Sequence, residues 1–333
     1  MKIAGISMVR NEGDVIEAFV RHHAEVVDQL VIVDHRSADG TDEILAELAA
    51  EGLPLKVYAE QSLVQRQNVV MTRLMREAAT AGGADWVLPL DADEFLVGSG
   101  TKAQDALAAL PAERPHAVDM LPYVPTSEDP PDELNVLRRI RHRRELEQDT
   151  WTRKVLVPGR WAGDSRYALM QGNHVLIEGM KVVPAAPTDQ LALAHFPVRS
   201  ADQVARKVLG GWPAHVARPD RDPAGAFQWK RAFDLVVAGD PLGAGELEAL
   251  AYDYPTREPD ERQELIFDPV PADFELRYRA RREPTPLELL AGTAVQLAEE
   301  LSEELRNADE DEKRMRSLKA FADRVASTRE SVA

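Results

Sequence analysis

Residues 86–95 read "WVLPLDADEF". An apolar run stops, and three carboxylates follow within four residues: Asp91, Asp93 and Glu94. Like charges this close repel, and each loses hydration beside a sheet. The stretch therefore predicts a strand that ends where positive charge is supplied. On extended chain Asp91 and Asp93 would point to the same side, about 7 Å apart. That spacing suits one divalent cation, held directly by one carboxylate and directly or through water by the other. Hard oxygen donors favour Mg2+ or Mn2+, which stay partly hydrated and lean on substrate phosphates. The competing reading of "DADE" is a solvated acidic turn after an edge strand.

On either side of this stretch the chain alternates between two periods. Lys2–Met8, Leu30–Val33, Leu55–Ala59 and Trp86–Leu90 read as strands. Residues 14–28, Thr41–Ala50 and Val64–Ala79 read as helices, with Thr41 as an N-cap and Gly82-Gly83 as a stop. Such alternation predicts an α/β fold: a parallel sheet with helices on both faces. Ligands of open parallel sheets bind at the carboxyl edge. Three strand ends would converge there. The first carries Arg10, Asn11 and Glu12; the second Asp34, His35, Ser37 and Asp39; the fourth Asp91 and Asp93.

Beyond residue 100, Ala103–Leu110 reads as a helix and His116–Tyr123 as a strand, followed by the acidic loop "PTSEDPPDE". Trp151–Val157, His174–Ile177 and Leu191–Phe196 read as strands, and residues 200–210 and 226–238 as helices. Residues 286–328 read as two helices joined near "NADEDEK", with Thr285 and Pro286 at the N-cap and first position. The expected organisation is a main domain over 1–240, divided near residue 100, a connector over 241–285 and a helical tail over 286–333.

Composition narrows the functional classes. The formal net charge of −17 disfavours nucleic acid and anionic membrane as partners. With no cysteine, disulfides, thiolate nucleophiles and Cys-ligated metals are excluded. The opening "MKIAGISMVRNE" lacks a signal-peptide layout, and no run approaches the ~20 apolar residues of a transmembrane helix. A cytoplasmic location is expected. No G-x-G-x-x-G follows the first strand, and there is no G-x-x-x-x-G-K-[ST], so dinucleotide and P-loop chemistry are set aside.

Three motifs in order, "ISMVRNE", "VIVDHRSADGT" and "WVLPLDADEF", resemble the family 2 glycosyltransferases with a GT-A fold, and among them the subgroup whose acidic motif reads D-x-D-E-F. "TRKVLVPGRW…GNHVLI" and "LALAHFPVRSADQVARKVLGGW" fit that subgroup more loosely, so the resemblance covers about residues 1–240. It implies a Rossmann-like, mostly parallel sheet flanked by helices, here with a C-terminal helical extension; 1–240 would be the catalytic domain, with 1–100 the nucleotide-sugar-binding half and 101–240 the acceptor half. It implies that Asp91 and Asp93 hold Mg2+ or Mn2+ on the diphosphate of a UDP- or GDP-sugar, with His195 a further ligand. Arg10, Asn11, Glu12, Asp34, His35, Ser37 and Asp39 would line the nucleotide pocket, and Arg66 and Asn68 would add donor contacts. Relatives often carry two acidic residues where this chain has Asp34 and His35, which leaves the base open.

Sugar transfer leaves a nucleoside diphosphate, whose growing negative charge a metal offsets. An inverting transfer also needs a carboxylate to take the acceptor's proton. Asp164, Glu128 and Asp129 are the candidates, with Glu94 an outsider. The acceptor would be a hydroxyl of a glycan, a lipid-linked glycan or a small molecule. The alternatives are a catalytically silent nucleotide-sugar-binding or scaffold protein, and a nucleotidyltransferase. His22 and His23 read as packing residues, "RRIRHRR" (138–144) as a solvated basic face, and the tryptophans at 151, 161, 212 and 229 as packing rather than sugar platforms. Leu287, Leu290, Ala294, Leu297, Leu301 and Leu305 form an apolar stripe that could pack on the body or join two copies.

Overall fold

The computed structural model describes residues 1–61, 66–145, 153–217, 225–239, 241–254, 262–279 and 284–330. Trp151 and the expected helix start at Val64 lie outside the described residues. The first half alternates as expected: β1 (Ile3–Val9), α1 (Ile16–Ala24), β2 (Gln29–Asp34), α2 (Thr41–Ala50), β3 (Leu55–Ala59), α3 (Gln67–Thr80) and β4 (Trp86–Pro89). Side-chain alternation explains why these strands are apolar throughout. Ile3 and Val9 of β1, Leu30 and Ile32 of β2, and Trp86 and Leu88 of β4 join the core under α1 and α2. Ala4, Ile6, Met8, Val31, Val33 and Val87 face the other way, onto Met71, Leu74 and Met75 of α3.

The second half adds β5 (Glu94–Gly98), α4 (Ala103–Ala109), β6 (His116–Val124), α5 (Val136–Arg139), β7 (His142–Arg143), β8 (Arg153–Pro158), α6 (Gly159–Ala162), β9 (Tyr167–Leu169), β10 (Leu176–Glu178), β11 (Lys181–Val182), β12 (Ala186–His195), α7 (Ala201–Ala217), α8 (Phe227–Ala238), α9 (Ala244–Tyr252), β13 (Ile266–Phe267) and α10 (Pro286–Glu330). Among the described residues the main sheet runs β13-β7-β6-β8-β4-β1-β2-β3, with β12 beside β6 and β5 on β12. β3, β2, β1 and β4 are parallel. β8 lies antiparallel between β4 and β6, so β6 points the same way as β4. β12 is parallel to β6, while β5 returns antiparallel along β12. This is a Rossmann-like α/β fold of the GT-A type, followed by a helical extension. A smaller core, with Val204, Val208, Ala232 and Leu250, joins α7, α8 and α9.

Three expectations change. Thr41 is the first helical residue, after Gly40 at φ 87°; its hydroxyl is spent on Asp39 and on the Glu12 amide. The tail is one helix of 45 residues rather than two. Part of the connector is pinned: Phe274, Leu276 and Tyr278 pack on the main core at every second position. Buried Glu17 of α1 anchors this segment by accepting from the amides of Arg277 (2.9 Å) and Tyr278 (2.8 Å).

Glu17→Ala removes both acceptors. It is expected to cost about 1–3 kcal/mol in urea unfolding, with amide exchange accelerated at Arg277 and Tyr278. Unchanged protection at those amides would show that apolar packing alone holds the segment.

Candidate functional site

The residues after β4 form a tight turn. The Glu94 amide donates to the Asp91 carbonyl (3.0 Å), and the Asp91 amide donates to Glu94 Oε2 (3.0 Å). The turn corrects the expectation that Asp91 and Asp93 share one side of an extended chain. Asp91 accepts from Lys154 Nζ (2.6 Å), Gln67 Nε2 (3.1 Å) and Asn173 Nδ2 (3.4 Å). Asp93 accepts from Lys207 Nζ (2.8 Å), with Arg199 Nη1 at 3.7 Å and His195 Nε2 at 3.8 Å. Lys154 Nζ also reaches Glu94 at 3.0 Å, and both side chains are only 1% exposed.

Strand pairing assembles these groups. The β5–β12 register sets His195 opposite Glu94, and the Phe196 amide donates to the Asp93 carbonyl (2.9 Å). β8 carries Lys154 to the centre of the sheet, and α7 supplies Lys207. Arg199, in the bend before α7, is 1% exposed and bonds Glu12 (2.7 Å) and Asp14 (2.7 Å). It thereby ties the loop after β1 to the acidic turn.

The protonation states follow from burial against charge. Burial pushes Glu94 up to about 8 despite Lys154, and Asp91 and Asp93 add to the rise. Burial likewise lifts Glu12 to about 7 against the pull of Arg199 and Lys207. Burial would raise Asp93 too, but Lys207 and Arg199 hold it well below the usual carboxylate range. Burial holds His195 down to about 4, so its ring is neutral at pH 7. Burial opposes charge on Lys154 and Lys207, and their carboxylate partners overcome it and keep both ammonium groups protonated.

The loops after β1 and β2 interlock. The Asn11 amide donates to Ser37 Oγ (2.9 Å), and the Ala38 amide donates to Asn11 Oδ1 (2.8 Å). Asp39 is buried and accepts from the amides of Gly13 and Thr41, so it braces the loops. Asp34 is 7% exposed; the Ser37 amide donates to its Oδ2 (3.2 Å), while Oδ1 has no hydrogen-bond partner among the described residues. His35 beside it is fully buried. Arg10 turns outward to Gln296 Oε1 of α10 (2.8 Å). An open cleft lies between these loops and the start of α10, lined by Arg10, Asn11, Ser37 and Leu289 among others.

The remaining expected residues separate. Arg66 and Asn68 are not buried, and Gln67 between them is the one that reaches Asp91. Glu128 and Asp129 lie in the loop after β6, at the carboxyl edge of the sheet; Asp129 is engaged by the Thr126 amide (2.9 Å) and hydroxyl (3.1 Å). Asp164 sits at the opposite edge, where Gly159 bonds Asp85 before β4, and it pairs with Arg166 (2.7 Å). It does not join the other groups. Lys154, Lys207, Arg199, Gln67 and Asn173 were not singled out from sequence. A lone lysine heading the apolar "KVLVP" and the basic "RSADQVARK" were the available signals. Asn173, fully buried at φ 58° with Oδ1 unpartnered among the described residues, gave none.

Asp93, Glu94 and His195 each offer one ligand atom, and these atoms lie within 4.8 Å of one another. Two carboxylates and a neutral imidazole fit a hard divalent ion. Asp91 stands outside that group, across Lys154.

No protein-family model and no curated protein matches the chain. Among solved structures, a mannosyltransferase from Pyrobaculum calidifontis, determined with GDP-mannose and Mn2+, is 17% identical with a TM-score of 0.33, over 72% of this chain and 74% of that one. A mannose-1-phosphate geranyltransferase from Thermus thermophilus is 16% identical with a TM-score of 0.28, over 79% of this chain and 72% of that one. At such TM-scores the chemistry rests on the site's own geometry.

Two outcomes test the electrostatics. Lys154→Met leaves Asp91 and Glu94 without their shared cation, at a cost of about 3–5 kcal/mol in urea unfolding. Adding Glu94→Gln is expected to recover part of that loss, and no recovery would refute the shared-cation account. The second concerns pH. Below about 6.5 the lowered histidines His22, His23, His174 and His195 add protons to the unfolded chain. Between about 6.5 and 8 the folded chain holds protons on Glu94 and Glu12 that the unfolded chain has released. Stability therefore falls as pH rises through that window, by at most about 1.4 kcal/mol per unit for each proton. Glu94→Gln should flatten the fall; an equally steep slope in that variant would place the proton elsewhere.

Proposed function

We propose that the chain is a metal-dependent glycosyltransferase that moves a sugar from a nucleoside diphosphate sugar to a hydroxyl acceptor with inversion. The carrying observation is the trio Asp93, Glu94 and His195, with ligand atoms within 4.8 Å, at the edge where the β1 and β2 loops also open. In this reading Mn2+ or Mg2+ sits on the trio and offsets charge on the departing diphosphate. Asp34 supports the nucleotide role, because its buried Oδ1 is an acceptor awaiting a donor such as a base N–H. The interlocked Asn11 and Ser37 hold the loop backbone that faces the cleft, and Asp91 with Gln67 and Asn173 presents polar groups to the sugar. Lys207 adds positive charge beside Asp93. Asp129 is tied to Thr126, and Asp164 stands at the far edge, so Glu128 takes the role of base.

Calorimetry with UDP and GDP, with and without Mn2+, tests the donor and metal claims together. At least one nucleotide is expected to bind tenfold or more tightly with Mn2+ (about 1.4 kcal/mol), and Asp93→Asn to abolish that increment. Glu128→Gln should slow nucleoside diphosphate release in the presence of acceptor by about 10²–10⁴-fold and leave donor binding intact. Binding without turnover would identify the silent nucleotide-sugar-binding alternative. Binding indifferent to Mn2+ would assign the metal's work to Lys207 and its neighbours.

A further inference from the structure

α10 runs for 45 residues, about 68 Å of continuous helix. Its first turns are seated: Leu289 and Thr293 are buried, and the helix packs on α7. Among the described side chains, an apolar stripe away from this seat is exposed. Leu287, Ala294, Leu301, Ala308 and Met315 recur every seven residues, and all five are exposed. Leu287 is 75% and Met315 65% exposed. A seven-residue apolar repeat along a long helix is the pattern that packs against another helix. Because α10 does not turn back, its second half cannot cover its first.

Charge identifies the occupant. Residues 299–312 contain eight Asp or Glu and one Arg; residues 313–329 contain six Lys or Arg and one Asp. A parallel pair of such helices would set acid on acid and base on base. An antiparallel pair sets each acidic half on a basic half, and it is self-complementary, as a two-fold dimer requires. We infer that α10 is an antiparallel dimerisation helix whose partner is a second copy of this chain. The contact also bears on the cleft, because Gln296 of the same helix bonds Arg10.

The test uses the full chain. Light scattering at micromolar chain and low salt is expected to give twice the monomer mass, with affinity weakened about tenfold or more at high salt. Reversing the acidic half (Glu299→Lys, Glu310→Lys, Asp311→Lys) or the basic half (Lys313→Glu, Lys319→Glu) should each yield monomers, with helicity retained by circular dichroism. Mixing the two variants should restore a dimer. Since the chain has no cysteine, single replacements report orientation: Met315→Cys, on the exposed stripe two residues from the charge boundary, should oxidise to a covalent dimer, and Leu287→Cys should not. A monomer at low salt, a dimer indifferent to both reversals, or preferential cross-linking at Leu287→Cys would overturn the proposal.

Discussion

Three carboxylates can stand within four residues here because cations from distant parts of the chain reach them. Lys154 comes from β8, Lys207 from α7 and Arg199 from the bend between β12 and α7. Buried charge is tolerated only when paired, so the acidic turn is stable only with β8 and β12 in register. β12 is pivotal: one edge pairs with β6 and the other with β5, and the second pairing sets His195 against Glu94.

The first half was legible because local signals agreed with tertiary need. Continuous apolar runs in β1, β2 and β4 reflect burial on both faces, and the polar residues that end them mark the carboxyl edge. α2 and β3 occur at the expected residues. The expected convergence of Asn11 with Ser37 and of Asp93 with His195 is present in the structure. The second half was less legible because its strands are short or mixed, and their pairing depends on contacts far apart in sequence. β5 follows the acidic turn with a single intervening hydrogen-bonded reversal, and nothing local distinguishes that turn from extended chain. The cationic partners were invisible for the same reason. A lysine in a strand declares its charge, but not the carboxylate 63 residues away that it meets.

Similar logic applies at the other end. The composition around "NADEDEK" reads as a linker because acidic residues so often solvate turns. In the helix those same residues continue without a break, and the change from acidic to basic falls within a regular helix instead of at a hairpin. A hairpin would have satisfied the charge pattern within one chain; a continuous helix moves that complementarity to the surface.

Charge balance also connects the buried network to a metal. Among directly bonded groups, the carboxylates of Glu12, Asp14, Asp91, Asp93 and Glu94 face the cations Lys154, Arg199 and Lys207. Arg206 adds its charge near Asp14, yet burial still lifts Glu94 to about 8 and Glu12 to about 7, so protons supply part of the positive charge at neutral pH. In the proposed reading a divalent ion at Asp93, Glu94 and His195 would supply positive charge in their place. Metal entry and proton release would then be two ways of meeting one electrostatic requirement. In the proposed reading a substrate diphosphate arriving with the ion would bring back negative charge, beside which Lys207 and Arg199 stand. The buried lysines and arginine therefore do not compete with a metal for the role of counter-charge so much as set how much positive charge the site still lacks.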